Sequence, residues 1–282
     1  RGITVIDPAD GRLTGPDSGP GRLPEPADIH QTCLALLQPA SGDLVGRRVL
    51  ITAGGTREPI DPVRFLGNRS SGRQGYALAA AAARRGAEVT VVAANVALPV
   101  PTGVTVVPVE TAAELARAVI DRAAKADVVI MCAAVADFRP VTRSDTKLKK
   151  DSAAEPESIP LERTQDVLRA LTDARPADQV IVGFAAETGD ADADVLTHAR
   201  AKLAAKGCDL LVVNDVSGGA VFASEANEVV VLGADGTETR VPFSPTDWID
   251  WVARVEDIPV AAAAGALAEV QTTSRDGDRI TG

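Results

Sequence analysis

The chain has 282 residues, of which 45% are hydrophobic, and a formal net charge of −10. An aromatic content of 3% argues against a surface that stacks nucleic-acid bases, and no apolar run reaches the roughly 18 residues of a membrane span. With two histidines and no C-x-x-C spacing, a histidine metal site, a catalytic triad and a dithiol motif are all disfavoured. No signal peptide opens the chain, so we expect a cytoplasmic protein whose cysteines (Cys33, Cys132 and Cys208) are reduced and buried.

The predicted elements alternate along most of the chain. Residues 1–28 are rich in Gly, Pro and Asp and predict an extended arm, and residues 29–41 allow a short helix. Apolar strands are then predicted at 48–52, 88–94, 104–109, 127–135, 179–185 and 209–214, and helices at 75–85, 112–124, 165–173 and 192–206. A β-hairpin is predicted at 228–232 and 238–242.

This alternation predicts an α/β fold: a doubly wound, mostly parallel, Rossmann-like sheet with an antiparallel edge hairpin. The predicted domain covers residues 46–243, after an arm at 1–45 and before a tail of unclear role at 244–282. Residues 136–163 interrupt the pattern as an irregular stretch. In sheets of this kind ligands bind beyond the carboxyl ends of the strands, so the loops there are the candidate sites.

The loop after the first strand, residues 52–75, is the most informative of them. It combines glycines and hydroxyls with Arg57, Arg64, Arg69 and Arg73, and it precedes a helix N-terminus. Glycines allow close backbone approach, and the free N–H groups of a helix start favour an anion. The loop therefore predicts a phosphate-binding crossover, although a simple connector with surface arginines would share its composition. It matches neither the G-x-G-x-x-G nor the Walker pattern.

Charge is distributed unevenly along the chain. Residues 47–150 contain 16 Lys and Arg against 9 Asp and Glu, whereas the remainder contains 13 against 30. A basic segment within an acidic protein suits a small anionic ligand that is focused into a cleft.

Four more segments offer candidate binding residues. Small residues and Asp137 follow the fourth strand, and the run Lys147, Lys149 and Lys150 suits either a polyphosphate or plain solvation. Lys202 and Lys206 share one helix face, a spacing that surface lysines also show. Phe184 either stacks on a ligand ring or belongs to the core.

Together these motifs closely resemble phosphopantothenate–cysteine ligase, the C-terminal half of the bacterial bifunctional coenzyme A biosynthesis protein. The resemblance covers about residues 46–243. The motifs are Gly54-Gly-Thr, Asn68-Arg-Ser-Ser-Gly-Arg-Gln-Gly75, Cys132-Ala-Ala-Val-Ala-Asp-Phe138, Lys147-x-Lys-Lys150, Gly183-Phe-Ala-Ala-Glu-Thr188 and Asn214-Asp-Val216.

The resemblance implies a two-step reaction. The carboxylate of 4′-phosphopantothenate attacks the α-phosphate of CTP with Mg²⁺ as cofactor, and pyrophosphate leaves an acyl-cytidylate. The amine of L-cysteine then attacks the acyl carbon, and CMP leaves. Positioning and electrostatics carry such chemistry, which agrees with the lack of a predicted side-chain nucleophile.

The resemblance also implies residue roles. Asn68 would orient the intermediate and Lys147 would stabilise charge on the triphosphate as the catalytic pair. The implied substrate- and nucleotide-binding residues are Ser70, Gly72, Gly75, Met131, Cys132, Ala133, Ala134, Asp137, Asp166, Phe184, Lys202 and Lys206, and no metal ligand is implied. Where the family has an Asn-Pro-Asp-Ile-like run, this chain has Thr164-Gln-Asp-Val167, so nucleotide preference is the property that the departure affects.

Partners follow from the same resemblance. Residues 8–24 look like the substrate clamp of the flavin-dependent decarboxylase half, with Thr14 near the usual cysteine position. The rest of that half is missing, so we expect a fragment of a longer protein without flavin or decarboxylase activity. The family is dimeric, with a flap to which residues 139–163 would correspond. No nucleic-acid or membrane partner is expected.

Two other functions fit parts of the pattern. An NAD(P)-dependent oxidoreductase would share the fold, but it would need the absent glycine fingerprint and a ribose-binding acid. A regulatory module that binds nucleotide or a coenzyme A precursor without catalysis would tolerate loss of Asn68 and Lys147, and this chain has both.

Overall fold

The structure, a computed structural model, describes residues 42–148, 158–187, 194–215 and 227–243, together with short pieces between residues 5 and 33. Most of the predicted helix at 29–41 and all of the predicted tail at 244–282 lie outside these residues. The chain divides into two units, Arg1–Ser41 and Gly42–Gly282.

The first unit contains an antiparallel hairpin of β1 (Ala9–Arg12) and β2 (Ser18–Arg22), with a register shift after Ala9. This part of the predicted arm is therefore paired into a small sheet rather than simply extended.

The second unit contains the predicted layers of strands and helices. Its strands are β3 (Arg48–Gly54), β4 (Arg57–Pro59), β5 (Phe65–Gly67), β6 (Glu88–Ala94), β7 (Val104–Val109), β8 (Val128–Met131), β9 (Phe138–Pro140), β10 (Leu161–Arg163), β11 (Val180–Glu187), β12 (Leu210–Asp215), β13 (Asn227–Gly233) and β14 (Glu238–Phe243). Its described helices are α1 (Arg73–Arg84), α2 (Ala112–Ala123), α3 (Val167–Ala174) and α4 (Val195–Lys206).

Eight strands form one sheet in the order β14-β13-β12-β11-β8-β3-β6-β7. The pairs from β7 to β12 are parallel, and β13 and β14 add an antiparallel edge, which confirms the predicted fold class. The chain runs from β3 outward to β7 and then returns to β8 on the other side of β3. The carboxyl ends of β3 and β8 therefore form a topological switch point, where α/β sheets bind ligands.

Helices cover both faces of the sheet. α1 packs on one face through Tyr76 and Ala79, and α2, α3 and α4 pack on the other through residues such as Leu115, Leu171 and Leu203. Central strand β3 is buried over six consecutive residues, because a parallel strand between two helix layers has no solvent-facing side. None of the helices in the described part of the chain is long and apolar enough to cross a lipid bilayer.

The structure departs from the predicted elements at the site. β8 ends at Met131 rather than at residue 135, because the following residues leave the sheet to bond with the loop after β3. That loop contains a small hairpin, β4–β5, and the stretch predicted as irregular contains the antiparallel pair β9–β10. Both hairpins are too short to show an alternating apolar pattern, so neither was predicted from the sequence.

Candidate functional site

The switch point is closed by hydrogen bonds between the ends of β3 and β8. Gly55 forms an isolated parallel bridge with Ala134, and the Ala134 N–H donates to the Gly54 carbonyl at 2.8 Å. The buried hydroxyls of Thr52 and Thr56 accept from the N–H groups of Ala133 and Ala136, each at 2.9 Å. These bonds fix the backbone of residues 133–136, which include the predicted ligand-binding residues Ala133 and Ala134. We call this segment the ledge.

The loop after β3 brings Asn68 and Ser70 to this ledge. Asn68 is exposed, and its side-chain amide donates to the Val135 carbonyl at 3.0 Å. Ser70 lies beside Gly55, since a Cβ built on that glycine would be 3.6 Å from the Ser70 Cβ. The structure thus places both predicted residues at the switch point.

The two predicted glycines after Ser70 have different tasks. Gly72 caps the start of α1 with φ of 80°, in the left-handed region that glycine enters without strain. Gly75 faces the sheet, where a Cβ would lie 2.6 Å from the Ala53 Cβ, so its task is close helix–strand packing. The first turn of α1 contains no acidic residue, which leaves the positive end of the helix dipole available to an anion.

Lys147 is exposed, and the backbone beside it is anchored to the loop after β3. The Leu148 N–H donates to the Asp61 carboxylate at 3.2 Å, and the Arg64 guanidinium donates to the Leu148 carbonyl at 3.0 Å. The Arg64 hydrogen bond holds the pKa of Asp61 well below its usual range, and backbone N–H donors add to the effect. The other two lysines of the predicted run, Lys149 and Lys150, lie outside the described residues.

A second group joins the ledge to α3 and α4. The Thr164 hydroxyl donates to the Ala136 carbonyl at 2.6 Å, and the Thr164 N–H donates to the Asp137 carbonyl at 3.0 Å. Asp166 caps α3 and accepts a short hydrogen bond from Lys206. Burial alone would raise the pKa of Asp166, but the hydrogen bonds from Lys206 and the Arg169 N–H, with their charges, lower it overall.

The other predicted nucleotide residues lie on both faces of the sheet. The Lys202 ammonium pairs with Glu187 at the end of β11, with Nζ to Oε1 at 2.8 Å. Phe184 is partly buried and packs with Val182 and Val212 on the face opposite to α4. The core alternative for Phe184 therefore has direct support in the structure.

Met131 is the last residue of β8, and Cys132 follows it. Met131 is buried in the core beneath α2, so its side chain packs rather than lines a surface. Burial raises the pKa of the Cys132 thiol to about 12, which leaves no thiolate for nucleophilic work near neutral pH. All three cysteines are unpaired, and Cys208 is buried, but Cys33 is exposed, so the prediction that it is buried was wrong.

Several residues of the site were not singled out from the sequence. Thr52 and Asp61 lie outside the named motifs, and Thr56 and Glu187 lie within them but were assigned no role; the partners that give them one come from other elements of the fold. Asp61 alone had a local signal: its carboxylate accepts from the N–H groups two and three residues later, an Asx-type turn that Asp-Pro favours.

Metal binding by the protein alone finds no support in the described part of the chain. No group of three or more His, Cys, Asp or Glu side chains there is arranged to hold an ion. This is compatible with Mg²⁺, which commonly keeps few protein ligands and binds substrate phosphates instead.

The fold and the site define an α/β protein with a candidate anion-binding site at its topological switch point. Comparison with known proteins then gives the family. The model of the DNA/pantothenate metabolism flavoprotein C-terminal domain matches residues 44–249, and the chain belongs to this family. The resemblance to phosphopantothenate–cysteine ligases is thereby confirmed at the level of family.

Individual relatives agree. The chain is 52% identical over 274 residues to the coenzyme A biosynthesis bifunctional protein CoaBC of Mycobacterium tuberculosis, covering 94% of this chain and 65% of that protein. A crystal structure of the C-terminal domain of CoaBC is similar with a TM-score of 0.61 and 38% identity, over 77% of this chain and 97% of that one.

More distant structures share the fold alone. A Cab2 variant in complex with phosphopantothenate-cysteine superposes with a TM-score of 0.61 at 17% identity, over 88% of this chain and 97% of that one. This chain spans somewhat less than two thirds of the length of CoaBC, so the activities of the whole relative are not transferred to it by similarity alone.

Proposed function

We propose that this chain is a ligase that joins 4′-phosphopantothenate to L-cysteine in coenzyme A biosynthesis. The reaction consumes CTP: the substrate carboxylate displaces pyrophosphate from the α-phosphate, and the cysteine amine then displaces CMP from the acyl-cytidylate. The observation that carries the proposal is the loop after β3 at the switch point: it holds Asn68 against the Val135 carbonyl, anchors the backbone next to Lys147, and leads into α1, whose first turn has no acidic residue.

In this proposal the chain acts by binding and positioning. Asn68 presents its amide toward the ledge and orients the acyl-cytidylate, while Lys147 stabilises charge on the triphosphate. The start of α1, with Ser70 and Gly72, binds phosphate through backbone N–H groups. No protein nucleophile is required, in line with the protonated thiol of Cys132.

The nucleotide would extend from the ledge toward α3 and α4. Thr164 donates there to the Ala136 and Asp137 carbonyls, Asp166 accepts from Lys206, and Lys202 lies on the same helix as Lys206. The two lysines are paired with carboxylates in the structure, so a bound triphosphate would have to compete for them. We propose that Mg²⁺ enters with the triphosphate and neutralises part of its charge, and we assign it no protein ligand.

The homodimer is also part of the proposal. β9 packs beside β4 and β5, and the two hairpins expose an apolar surface next to the site. Its members are Val63, Phe65, Phe138, Val141 and Leu161, with exposed fractions of 45 to 61%. Exposed apolar side chains on neighbouring strands favour association, and their occupant would be a second copy of the chain. Light scattering should give a dimer mass, and Val141→Glu or Phe65→Glu should give a monomer.

Two further assignments belong to the proposed function. The 1–45 segment would adjoin a decarboxylase half in the full-length protein, and the protein would work in the cytoplasm. The alignment with CoaBC extends beyond the matched domain and supports the first assignment. The unpaired cysteines support the second, because disulfides are rare in the cytosol.

The test is pyrophosphate release by the purified chain with 4′-phosphopantothenate, with CTP or ATP, and with or without Mg²⁺ and L-cysteine. We expect release that needs phosphopantothenate and Mg²⁺ and prefers CTP, followed by CMP and coupled product once cysteine is added. A preference for ATP would retain the ligase and overturn the CTP assignment, and Thr164 would be the first residue to replace. Tight CTP binding without release would favour a regulatory module instead.

A further inference from the structure

We propose that Asp61 and Arg64 are positioning residues that hold Lys147 at the phosphate end of the site. The inference rests on the proposed function, because it assigns these two side chains a purpose in pyrophosphate release. Neither touches the reacting groups in this assignment, and both act through the backbone next to Lys147.

Asp61 is the centre of the contacts that hold Leu148, the residue after Lys147. We call this group of contacts, made by Asp61 and Arg64, the clamp. Asp61 is 2% exposed, and its carboxylate accepts four N–H groups of its own loop and one from outside. The four local donors are the Val63 and Arg64 amides, both at 2.8 Å, and the Arg64 guanidinium at 2.9 and 2.5 Å. The outside donor is the Leu148 amide at 3.2 Å. A buried carboxylate requires such full satisfaction, so the clamp is rigid by necessity.

Arg64 completes the grip on the same peptide. Its guanidinium bonds the Asp61 carboxylate and also donates to the Leu148 carbonyl at 3.0 Å. Both backbone groups of Leu148 are therefore held by one ion pair from 84 or more positions earlier in the chain. On the other side of Lys147, the Ser144 N–H donates to the Ile60 carbonyl at 3.0 Å.

Lys147 is thus fixed between two anchors while its side chain stays exposed. The ammonium group of a long, flexible lysine stabilises charge on the substrate effectively only if the backbone that carries it is held in place. A misplacement of about 1 Å can cost about 10²-fold in rate. The clamp supplies this setting. Stabilising the loop would not by itself require hydrogen bonds to both the N–H and the carbonyl group of Leu148, the residue that follows the lysine.

The chain contains a matched control. Arg85 and Asp43 form a similarly two-pronged, largely buried pair, which joins the end of α1 to the segment before β3. Asp43→Asn should therefore lower stability without changing the rate of pyrophosphate release.

The test compares Asp61→Asn, Arg64→Lys and Asp43→Asn, alone and combined with Lys147→Gln, by the kcat and KM of pyrophosphate release. We expect Asp61→Asn to lower kcat about 10- to 100-fold with a smaller change in KM. In the Lys147→Gln background the further loss should be below about threefold, because residues that act as a unit are not additive. Equal losses in both backgrounds, or full activity of the single variant, would overturn the inference.

A second readout does not depend on turnover. Exchange of the Leu148 amide, followed by NMR, should accelerate about tenfold or more in Asp61→Asn and stay unchanged in Asp43→Asn. Unchanged exchange in Asp61→Asn would overturn the clamp. If thermal melting shows that Asp61→Asn does not fold, Arg64→Lys gives the same test, since its side chain is half exposed. An unmodified chain that releases no pyrophosphate would instead overturn the proposed function, and with it the purpose assigned to the clamp.

Discussion

Two of the helices that begin beyond the carboxyl ends of the strands, α1 and α2, have N-termini of opposite kinds. α2 begins with a complete capping box: the Thr111 hydroxyl accepts from the Glu114 N–H, and the Glu114 carboxylate accepts from Thr111. Glu58, which is 3% exposed, also accepts from the Ala112 N–H at 2.7 Å. α1 begins at Gly72, which has no side chain, and its first turn carries no acid.

The contrast shows how one structural feature is either closed or left for a ligand. The first N–H groups of any α-helix lack an intrahelical acceptor and lie at the positive end of the helix dipole. At α2 the chain supplies its own carboxylates, so nothing is left to bind. At α1 an anion from outside would be the natural partner, as the proposed function requires. The following changes would break or sharpen this comparison.

The largest effect is expected on the open side, at Lys147. Lys147→Gln should slow pyrophosphate release about 10²-fold, the scale of removing one group that stabilises transition-state charge. Lys125→Gln is the matched control, because Lys125 is an exposed lysine just before β8, at the opposite end of the strands. Equal rates for the two variants would show that Lys147 is only a solvated surface charge.

Asn68→Asp should slow product formation about 30-fold and let the acyl-cytidylate accumulate. The amide donates to the Val135 carbonyl, and a carboxylate oxygen there would lose that bond at a cost of about 2 kcal/mol, which corresponds to this factor. Rapid-quench detection of the intermediate gives the measurement. Normal cysteine turnover would argue against a role of Asn68 in the second step.

Arg73→Glu places an acidic side chain in the first turn of α1, so the helix start no longer favours an anion from outside the chain. We expect CTP or phosphopantothenate affinity to fall about tenfold by calorimetry, the factor that corresponds to 1.4 kcal/mol. The helix itself should gain about 0.3 to 1 kcal/mol, because the new acid complements the dipole. Arg117→Glu makes the same charge change within α2 and should leave affinity nearly unchanged. Equal losses in both variants would indicate overall charge rather than the helix start.

The smallest effect on the rate of pyrophosphate release is expected at the start of α2, which the chain caps with its own side chains. Thr111→Ala removes the cap of α2 and should cost about 1 kcal/mol in the free energy of unfolding, measured with urea. Pyrophosphate release should stay within about twofold of the unmodified chain. A large loss of rate with unchanged stability would mean that the α2 start also serves the ligand.

Much of this organisation could be read from sequence. Predicted strand 88–94 coincides with β6, and predicted helix 112–124 differs from α2 by one residue, because local periodicity and Thr111 with Glu114 mark them. The motif residues Asn68 and Lys147 were found through the resemblance, and the structure places their backbones around one loop. Phe184 shows the limit: its pattern favours a core position but also suits a ligand platform, and only packing gives direct support to one of them.

What the sequence by itself determined is the layered α/β fold and the family, since both depend on short-range periodicity and on motifs that a few adjacent residues carry. The tertiary structure alone decided that Asp61 and Arg64 hold Leu148, that Glu58 closes α2 and that Lys206 pairs with Asp166. These contacts join residues 40 or more positions apart. They depend on which strand ends become neighbours in the sheet, and strand order is not encoded in any local window.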